Sequence, residues 1–197
     1  MGELVLVRHG QTEWSMTRRH TGRTDVPLTR EGERQAQALA PLLQRREIGR
    51  VVTSPLRRAV RTAELAGLGS ATTEPDLAEW DYGAYEGITT VEIRQDRPQW
   101  DLWTDGVPPG DAEHPGESPA EVGERADRVL AAVAVPPEED VPDTVLVAHG
   151  HILRVVAARW LGLPVSGGAM FRLGTGAVGT LGHEHGRPVI SSWNLVP

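Results

Sequence analysis

The fold is decided by the stretch Val5-Leu6-Val7-Arg8-His9-Gly10-Gln11-Thr12, where an apolar run gives way to a cation, an imidazole and a glycine. A short, continuous apolar run is typical of a strand that is buried on both faces. We therefore predict a strand over residues 3–7. In open α/β sheets, ligands bind just beyond the carboxyl ends of such strands. Arg8 and His9 are accordingly the first candidates for functional residues.

The same pattern returns late in the chain. The apolar run Thr144 to Ala148 predicts a second buried strand, and it is followed by His149-Gly150-His151 and then by a helical pattern. If the two strands are parallel neighbours, both ends lie at one edge of the sheet. The sequence then predicts that His9 and His149 share a site.

Helices are predicted between and around these strands. Their N-terminal signals are Thr29 with Glu31 in the first turn, the pair Ser54-Pro55, Thr90, and the capping box that begins at Ser118. Two or three further strands are expected between Ala169 and Trp193. Strands that alternate with helices predict a parallel sheet covered on both faces. We expect residues 1–197 to form one α/β domain, a three-layer α/β/α sandwich with a mostly parallel central sheet.

Two long segments are expected to be irregular. Residues 14–27 are polar and rich in arginine, and we predict a loop there. Residues 88–117 combine a short helix from Thr90 with a stretch rich in proline, glycine and acidic residues, which predicts a lid or insert over the site.

Composition excludes several kinds of chemistry. The chain has 197 residues and no cysteine, and all of its 20 Lys+Arg residues are arginine. Thiolate nucleophiles, Schiff-base lysines and Walker-type phosphate loops are therefore excluded.

A net charge of −7 argues against a nucleic-acid surface. No apolar segment is long enough for a membrane helix, so we expect no membrane contact and a cytoplasmic protein. The sequence leaves a homodimer open.

The remaining residues suit phosphoryl transfer without a metal. A neutral imidazole can attack phosphorus, and the planar guanidinium groups of Arg8 and Arg58 can hold phosphoryl oxygens. Glu79, in an aromatic loop, is the candidate acid for the leaving oxygen. A phosphate dianion beside this carboxylate would favour its protonated form by like-charge repulsion.

Four motifs together resemble the histidine phosphatase family, which is the phosphoglycerate-mutase-like superfamily. The resemblance implies that His9 becomes phosphorylated, that Arg8, Arg58 and His149 polarise the phosphoryl oxygens, and that Glu79 is first proton donor and then base. It implies no cofactor and no metal. The motifs are Arg8-His9-Gly10-Gln11-Thr12, Ser54-Pro55-Leu56-Arg57-Arg58-Ala59, Leu77-Ala78-Glu79-Trp80-Asp81-Tyr82-Gly83 and Ala148-His149-Gly150-His151.

The resemblance also implies residues that contact the phosphate or the rest of the substrate. Thr21-Gly22 matches a family loop beside the phosphate, and Ser15 stands where many members have asparagine, although its side chain is shorter. His20 is a further candidate for a secondary contact. The expected contacts are Gln11, Thr12, Ser15, Thr21, Gly22, Gly150 and His151.

Other patterns are assigned to structure. The run Gly174-Thr175-Gly176-Ala177-Val178-Gly179 has the spacing of a dinucleotide-binding loop, but strand-like residues follow it and no acidic residue comes at the expected distance. His183 and His185 resemble a metal pair on a strand, with no matching partners. Among Trp80, Trp100 and Trp103, one is expected to face the substrate.

The predicted function is hydrolysis of small phosphate esters through a phosphohistidine, as in a broad-specificity acid phosphatase. Phosphoglycerate mutase activity is disfavoured because the lid offers only Arg94 and Arg97 as cations. For the same reason we expect substrates whose non-phosphate part is neutral, sugar-like or aromatic. The run from Glu79 to Gly87 is similar to family members that act on sugar bisphosphates, so a sedoheptulose or fructose bisphosphatase is an alternative. A non-catalytic module that binds phosphorylated ligands is the alternative from another class.

Overall fold

The computed structural model describes residues 2–133 and 140–197. A central sheet has the strand order β3-β2-β4-β1-β5-β6. The first four strands in this order run parallel, and β5 and β6 are antiparallel to their neighbours. The mostly parallel α/β sheet is therefore confirmed. The strands are β1 Leu4–Arg8, β2 Ile48–Thr53, β3 Thr72–Thr73, β4 Asp143–Ala148, β5 Val178–Glu184 and β6 Arg187–Leu195.

Helices cover both faces of this sheet. In the described residues they are α1 Glu13–Met16, α2 Arg30–Ala38, α3 Ala40–Leu43, α4 Arg57–Leu65, α5 Thr90–Asp96, α6 Leu102–Asp105, α7 Pro119–Ala132 and α8 Gly150–Trp160. None of these helices combines the length and apolar composition that a bilayer crossing needs.

The three layers follow from the alternation of side chains along β1. Leu4 and Leu6 point into a core that contains residues of α7 and α8, whereas Val5 and Val7 point into a core with residues of α2–α4. All four side chains are fully buried. A strand with apolar residues on both faces can lie only inside a sheet that is covered on both sides, which is why the opening stretch determines the architecture.

The parallel pairing of β1 with β4 positions the candidate site. Leu4 lies opposite Thr144, and Arg8 lies opposite Ala148. The two histidines that follow these strands therefore leave the sheet at the same level. Their predicted proximity depends on this register.

The predicted helix starts are confirmed at Thr29, Thr89–Thr90 and Ser118. The Thr29 hydroxyl accepts a hydrogen bond from the amide of Gly32, and Ser118 forms a capping box with Glu121. The start predicted at Ser54-Pro55 is wrong: the helix begins at Arg57, and Leu56 precedes it without a side-chain cap. The Ser54 hydroxyl contacts His149 and accepts a hydrogen bond from the amide of Leu56, which lies before the first helical residue.

The two segments expected to be irregular contain more structure than the sequence suggested. A one-turn helix, α1, interrupts the predicted 14–27 loop because Thr12 and Ser15 cap it reciprocally. The predicted 88–117 insert contains α5 and α6, and its last part is attached to the Glu79 loop. There, the amide of Ala84 donates to the carbonyl of Pro108.

The first turn of α2 packs against the loop that follows β1, at a point where only glycine fits. A methyl group at Gly32 would overlap the carbonyl oxygen of Gln11, and one at Gly10 would overlap Gly32. We expect Gly32→Ala to lower the free energy of unfolding by about 2 kcal/mol or more, since neither backbone can move without disturbing the end of β1. Urea unfolding measures this loss.

Gln37→Ala, at an exposed position of the same helix, is the matched control. Its effect should stay within about 0.5 kcal/mol. Equal stability of the two variants would contradict the close approach of the backbones.

Candidate active site

His9 and His149 meet beyond the ends of β1 and β4. Their ring centroids are 5.1 Å apart, and the ring planes make an angle of 61°. Both side chains are almost completely withdrawn from solvent, with 5% and 0% exposure. The structure thus brings together the two histidines that the sequence predicted to share a site.

His9 is oriented by its own backbone. Its Nδ1 lies 2.7 Å from the carbonyl oxygen of Gly10. Because a carbonyl can only accept, Nδ1 carries the proton and Nε2 keeps its lone pair. Burial lowers the pKa of His9 well below its ordinary value, and the charges of Arg58 and Arg8 lower this pKa further. The result is a neutral imidazole with a free nitrogen, which is the form that can act as a nucleophile.

His149 is held between two partners. Its Nδ1 accepts a hydrogen bond of 3.1 Å from Nε of Arg58, so its Nε2 carries the proton and donates to the hydroxyl of Ser54 at 2.7 Å. The pKa of His149 is lowered well below its ordinary value, first by burial and then by the charge of Arg58. Sequence reasoning missed Ser54 as a site residue. Its position directly after a strand that ends at the rim is the signal that could have found it.

Arg58 extends from the first turn of α4 into the interior, where it is 0% exposed. Its terminal nitrogens donate to three carbonyl oxygens of the preceding loop, at Thr21, Gly22 and Thr24. With the bond to His149, these contacts use four of its five N–H groups. Arg58 therefore fixes the loop of residues 21–24 and keeps one N–H for another acceptor.

Arg8 lies on the other side of His9. One terminal nitrogen donates to the carbonyl of Leu173 at 2.6 Å, while its buried Nε has no hydrogen-bond partner among the described residues. A Cβ atom at Gly150 would lie 3.1 Å from the Arg8 Cζ atom. Gly150 therefore gives the guanidinium room, and the buried Nε–H has no acceptor among the described residues.

Glu79 is positioned by the start of α8. Its carboxylate accepts hydrogen bonds from the backbone amides of His151 and Ile152, at 3.0 and 2.9 Å, and from the amide of Trp80. It is 6% exposed. The carboxylate is thus held at the edge of the same cavity as His9, where a proton could pass to or from a bound ester.

Aromatic and imidazole rings form one side of this site. The Tyr82 hydroxyl lies 2.6 Å from Nδ1 of His151, and the ring of His20 lies 4.6 Å from that of Tyr82. Burial raises the pKa of Tyr82 well above its ordinary value. Burial also lowers the pKa of His151, with the charge of Arg154 as a further cause. These rings are therefore uncharged near neutral pH.

A cavity of about 330 Å³ opens onto this site. Of the expected contacts, Thr12, Ser15, Thr21 and His151 line the cavity together with Arg8, His9 and Glu79. Arg58 and His149 lie buried behind its wall. His20 also lines the cavity, as do Arg18 and Arg19, which sequence reasoning did not propose as site residues.

Three of the residues that were expected to contact the substrate do not line the cavity. The side-chain oxygen of Gln11 accepts a hydrogen bond from the Thr29 hydroxyl, and the Gly22 amide donates to the carboxylate of Glu86. Gly150 packs against the guanidinium group of Arg8. Gln11 and Gly22 therefore support the start of α2 and the loop of residues 21–24.

The glycine run, the His183–His185 pair and the three tryptophans lie outside the cavity lining. Gly176 has φ +67 and lies in the turn before β5, in agreement with the assignment of these glycines to turns and strand packing. In residues 2–133 and 140–197, no group of three or more potential metal ligands comes together. The expectation that one of the three tryptophans faces the substrate is wrong, since none of them is among the residues that line the cavity. Trp100 and Trp103 instead pack behind the cavity, against His20 and His151 respectively.

Comparison with known proteins identifies the family. The model of the histidine phosphatase superfamily, branch 1, matches residues 4–196. The chain belongs to the histidine phosphatase superfamily. An acid phosphatase of Mycobacterium tuberculosis is 45% identical to this histidine phosphatase over 186 residues, which cover 93% of this chain and 87% of the relative.

Two further proteins support this assignment. A solved structure of an open reading frame product from Mycobacterium tuberculosis superposes with a TM-score of 0.90 at 41% identity, covering 99% of this chain and 98% of the other. A sedoheptulose 1,7-bisphosphatase of Saccharomyces cerevisiae is 34% identical over 190 residues, covering 82% of this chain and 68% of the relative. These similarities confirm the predicted class of enzyme: this histidine phosphatase hydrolyses phosphate esters.

The buried imidazole of His20 makes the stability of this histidine phosphatase depend on pH. Burial lowers the pKa of His20 from 6.5 to about 4. Between these values the unfolded chain binds a proton that the folded chain does not bind, so stability falls as the pH decreases. We expect His20→Gln to reduce the pH slope of the free energy of unfolding by up to about 1.4 kcal/mol per pH unit.

Urea unfolding between about pH 4 and 6.5 measures this slope. His185→Asn removes an exposed imidazole from the turn between β5 and β6 and is the matched control. If wild type and His20→Gln show the same slope, the inferred protonation of His20 is wrong.

Proposed function

We propose that residues 1–197 form a single phosphatase domain in which His9 is the nucleophile. Its Nε2 attacks the phosphorus of a bound ester, the bond from phosphorus to the ester oxygen breaks, and the proton of Glu79 passes to the leaving alcohol. The phosphoryl group then rests on His9. In the second step Glu79 takes a proton from water, whose oxygen attacks phosphorus, so that phosphate leaves and His9 is restored.

One observation carries this proposal: the orientation and protonation of His9. Its proton is placed on Nδ1 by the Gly10 carbonyl, burial and two arginine charges favour its neutral form, and it lines the cavity. Arg8, whose terminal nitrogens have one acceptor between them among the described residues, lines the same cavity. A nucleophile and a donor for phosphoryl oxygens are therefore already in place.

Arg58 and His149 complete the proposed electrostatics from behind the wall. Arg58 has one N–H left, and its charge is buried, where it is weakly screened by water. The proton on Nε2 of His149 is directed to Ser54. We infer that Arg58 stabilises the charge on the transferring phosphoryl group, and that a bound oxygen competes with Ser54 for the His149 proton.

The proposed substrate is a small phosphorylated metabolite, with hydrolysis favoured over isomerisation. A mutase must hold the dephosphorylated substrate so that the phosphoryl group can return to it. The lid cations that could do this already have acceptors in the protein, since Arg94 donates to the Trp100 carbonyl and Arg97 to the Tyr85 hydroxyl. We infer that the alcohol leaves and water enters. A cytoplasmic location and a homodimer stay predictions from sequence.

We expect His9→Ala to lower the release of phosphate from p-nitrophenyl phosphate by at least about a thousandfold, because no other nucleophile lines the cavity in a comparable orientation. His185→Asn, which alters an exposed histidine far from the cavity, is the control and should keep full activity. Radioactive phosphate trapped on the wild type should be stable in base and labile in acid, as a phosphohistidine is, and peptide mapping at alkaline pH should locate the label on His9.

Turnover that survives in His9→Ala would overturn this assignment. A non-catalytic module, the alternative from another class, predicts that neither protein is labelled.

The choice between phosphatase and mutase is tested with 3-phosphoglycerate and phosphorus NMR. We expect inorganic phosphate to be the product, because the alcohol is not retained by lid cations. Accumulation of 2-phosphoglycerate at a rate comparable to that of phosphate would contradict the proposed fate of the phosphoryl group.

A further inference from the structure

Two arginines at the mouth of the active-site cavity have no part in the proposed chemistry. Arg18 and Arg19 follow α1, are exposed, and line the cavity that also contains Arg8 and His9. The acidic residue that lines this cavity is Glu79. In a chain of net charge −7, the mouth is therefore a local region of positive charge.

Both guanidinium groups are free to bind a ligand. In the part of the chain that the structure describes, neither Arg18 nor Arg19 has an ion pair or a side-chain hydrogen bond. Arg19 lies near Glu92, whose pKa is lowered first by its hydrogen bonds to Thr89 and additionally by the charge of Arg19. Glu92 itself is engaged in capping α5.

Other arginines around the site contrast with this pair. Arg94 donates to the Trp100 carbonyl and Arg97 to the Tyr85 hydroxyl, and Arg154 donates to the carbonyls of Gly168 and Ala169. The cations available to a substrate therefore come from the loop before α2, and not from the lid. The expectation of a substrate with an uncharged non-phosphate part rests on the lid alone and stays a prediction.

The backbone conformation at Arg18 is energetically unfavourable for any residue other than glycine. Arg18 has φ +61 and occupies the left-handed position that ends α1. The amide of Arg18 donates to Ser15 and that of Arg19 to Trp14, which is the hydrogen-bond pattern of a Schellman motif. Glycine is the preferred residue at this position, because other residues are strained there.

We propose that Arg18 and Arg19 form a subsite for a second anionic group, so that the enzyme prefers phosphate esters carrying a further phosphate or carboxylate. This inference rests on the proposed function, since it names the substrate class of the same cavity. The scissile phosphoryl group lies against Arg8 and His9. The second anion lies at the mouth, where the planar guanidinium groups donate paired hydrogen bonds to its oxygens.

The test compares substrates that differ by one anionic group. Fructose 1,6-bisphosphate is paired with fructose 6-phosphate, and 3-phosphoglycerate with glycerol 3-phosphate, so the two arms distinguish phosphate from carboxylate. We expect wild type to show a higher kcat/KM for the doubly anionic member of at least one pair. Arg18→Gln should lower that kcat/KM roughly tenfold, the size of one lost charged hydrogen bond, and leave the singly anionic partner within about twofold.

Arg19→Gln should act in the same direction with a smaller effect, because Glu92 already offsets part of its charge. The control is Arg45→Gln. Arg45 is an exposed arginine just before β2, at the opposite end of the strands from the site, and its loss changes the net charge equally. This control should leave both members of each pair unchanged.

Arg18→Gly separates binding from structure. We expect this variant to have an unchanged or higher Tm, because glycine relieves the strain at φ +61, and yet to lose the preference for the second anion. A lower Tm together with an equal loss on both members of a pair would show that Arg18 acts on the fold, and would overturn the subsite.

Failure of the subsite and failure of the proposed function give different results. If wild type hydrolyses these esters but Arg18→Gln changes both members of each pair equally, the subsite is wrong and the phosphatase proposal stands. If phosphate release survives in His9→Ala, the proposed nucleophile is wrong. Calorimetric binding of fructose 1,6-bisphosphate and fructose 6-phosphate to His9→Ala, with and without Arg18→Gln, then decides the subsite without turnover.

Discussion

The parallel pairing of β1 with β4 is the constraint on which the rest of the structure depends. Arg8 lies opposite Ala148, so the residues that follow, His9 and His149, leave the sheet side by side although they are 140 positions apart in the chain. A slip of one residue would exchange the two faces of β1. Leu4 and Leu6 would then enter the core now filled by Val5 and Val7, and the packing of both helical layers would be lost. The same apolar contacts that stabilise the fold therefore also fix the distance between the two catalytic candidates.

Arg58 connects this rigid edge to the loop that surrounds the cavity. A buried guanidinium is tolerated only when its N–H groups are satisfied. Here the carbonyls of Thr21, Gly22 and Thr24 supply most of the acceptors, and His149 supplies another. The loop in turn depends on Arg58, because its side chain donates to three of the loop's carbonyls. One residue thus places a buried positive charge beside His149, sets the tautomer of His149 and holds the loop of residues 21–24. Changes at Arg58 are accordingly expected to affect stability and chemistry together.

Much of this arrangement could be predicted from sequence, because its signals are local. The apolar runs ending at Arg8 and at Ala148 predicted two buried strands, and the caps at Thr29 and Ser118 predicted two helices. What the sequence could not show are contacts between distant segments. Ser54 has the residue type and spacing of a helix cap, and it becomes a partner of His149 only because β2 lies next to β4. Arg18 belonged to a segment that was expected to be a loop. Its left-handed backbone exists because α1 ends there, and a helix of four residues has too few positions to show a periodicity.

Arg8 and Arg58 lie in the interior, whereas Arg18 and Arg19 lie at the mouth of the cavity. This distribution follows from the need to keep His9 neutral and nucleophilic. Burial together with Arg8 and Arg58 already lowers its pKa well below the ordinary value. A third guanidinium inside the pocket would require several kcal/mol of desolvation. It would also make Nε2 a weaker base and so a poorer nucleophile toward phosphorus. An arginine at the mouth keeps most of its hydration, and water screens its effect on His9. Recognition of a second anion can therefore be added at Arg18 without weakening the nucleophile, provided that the backbone there accepts a residue other than glycine.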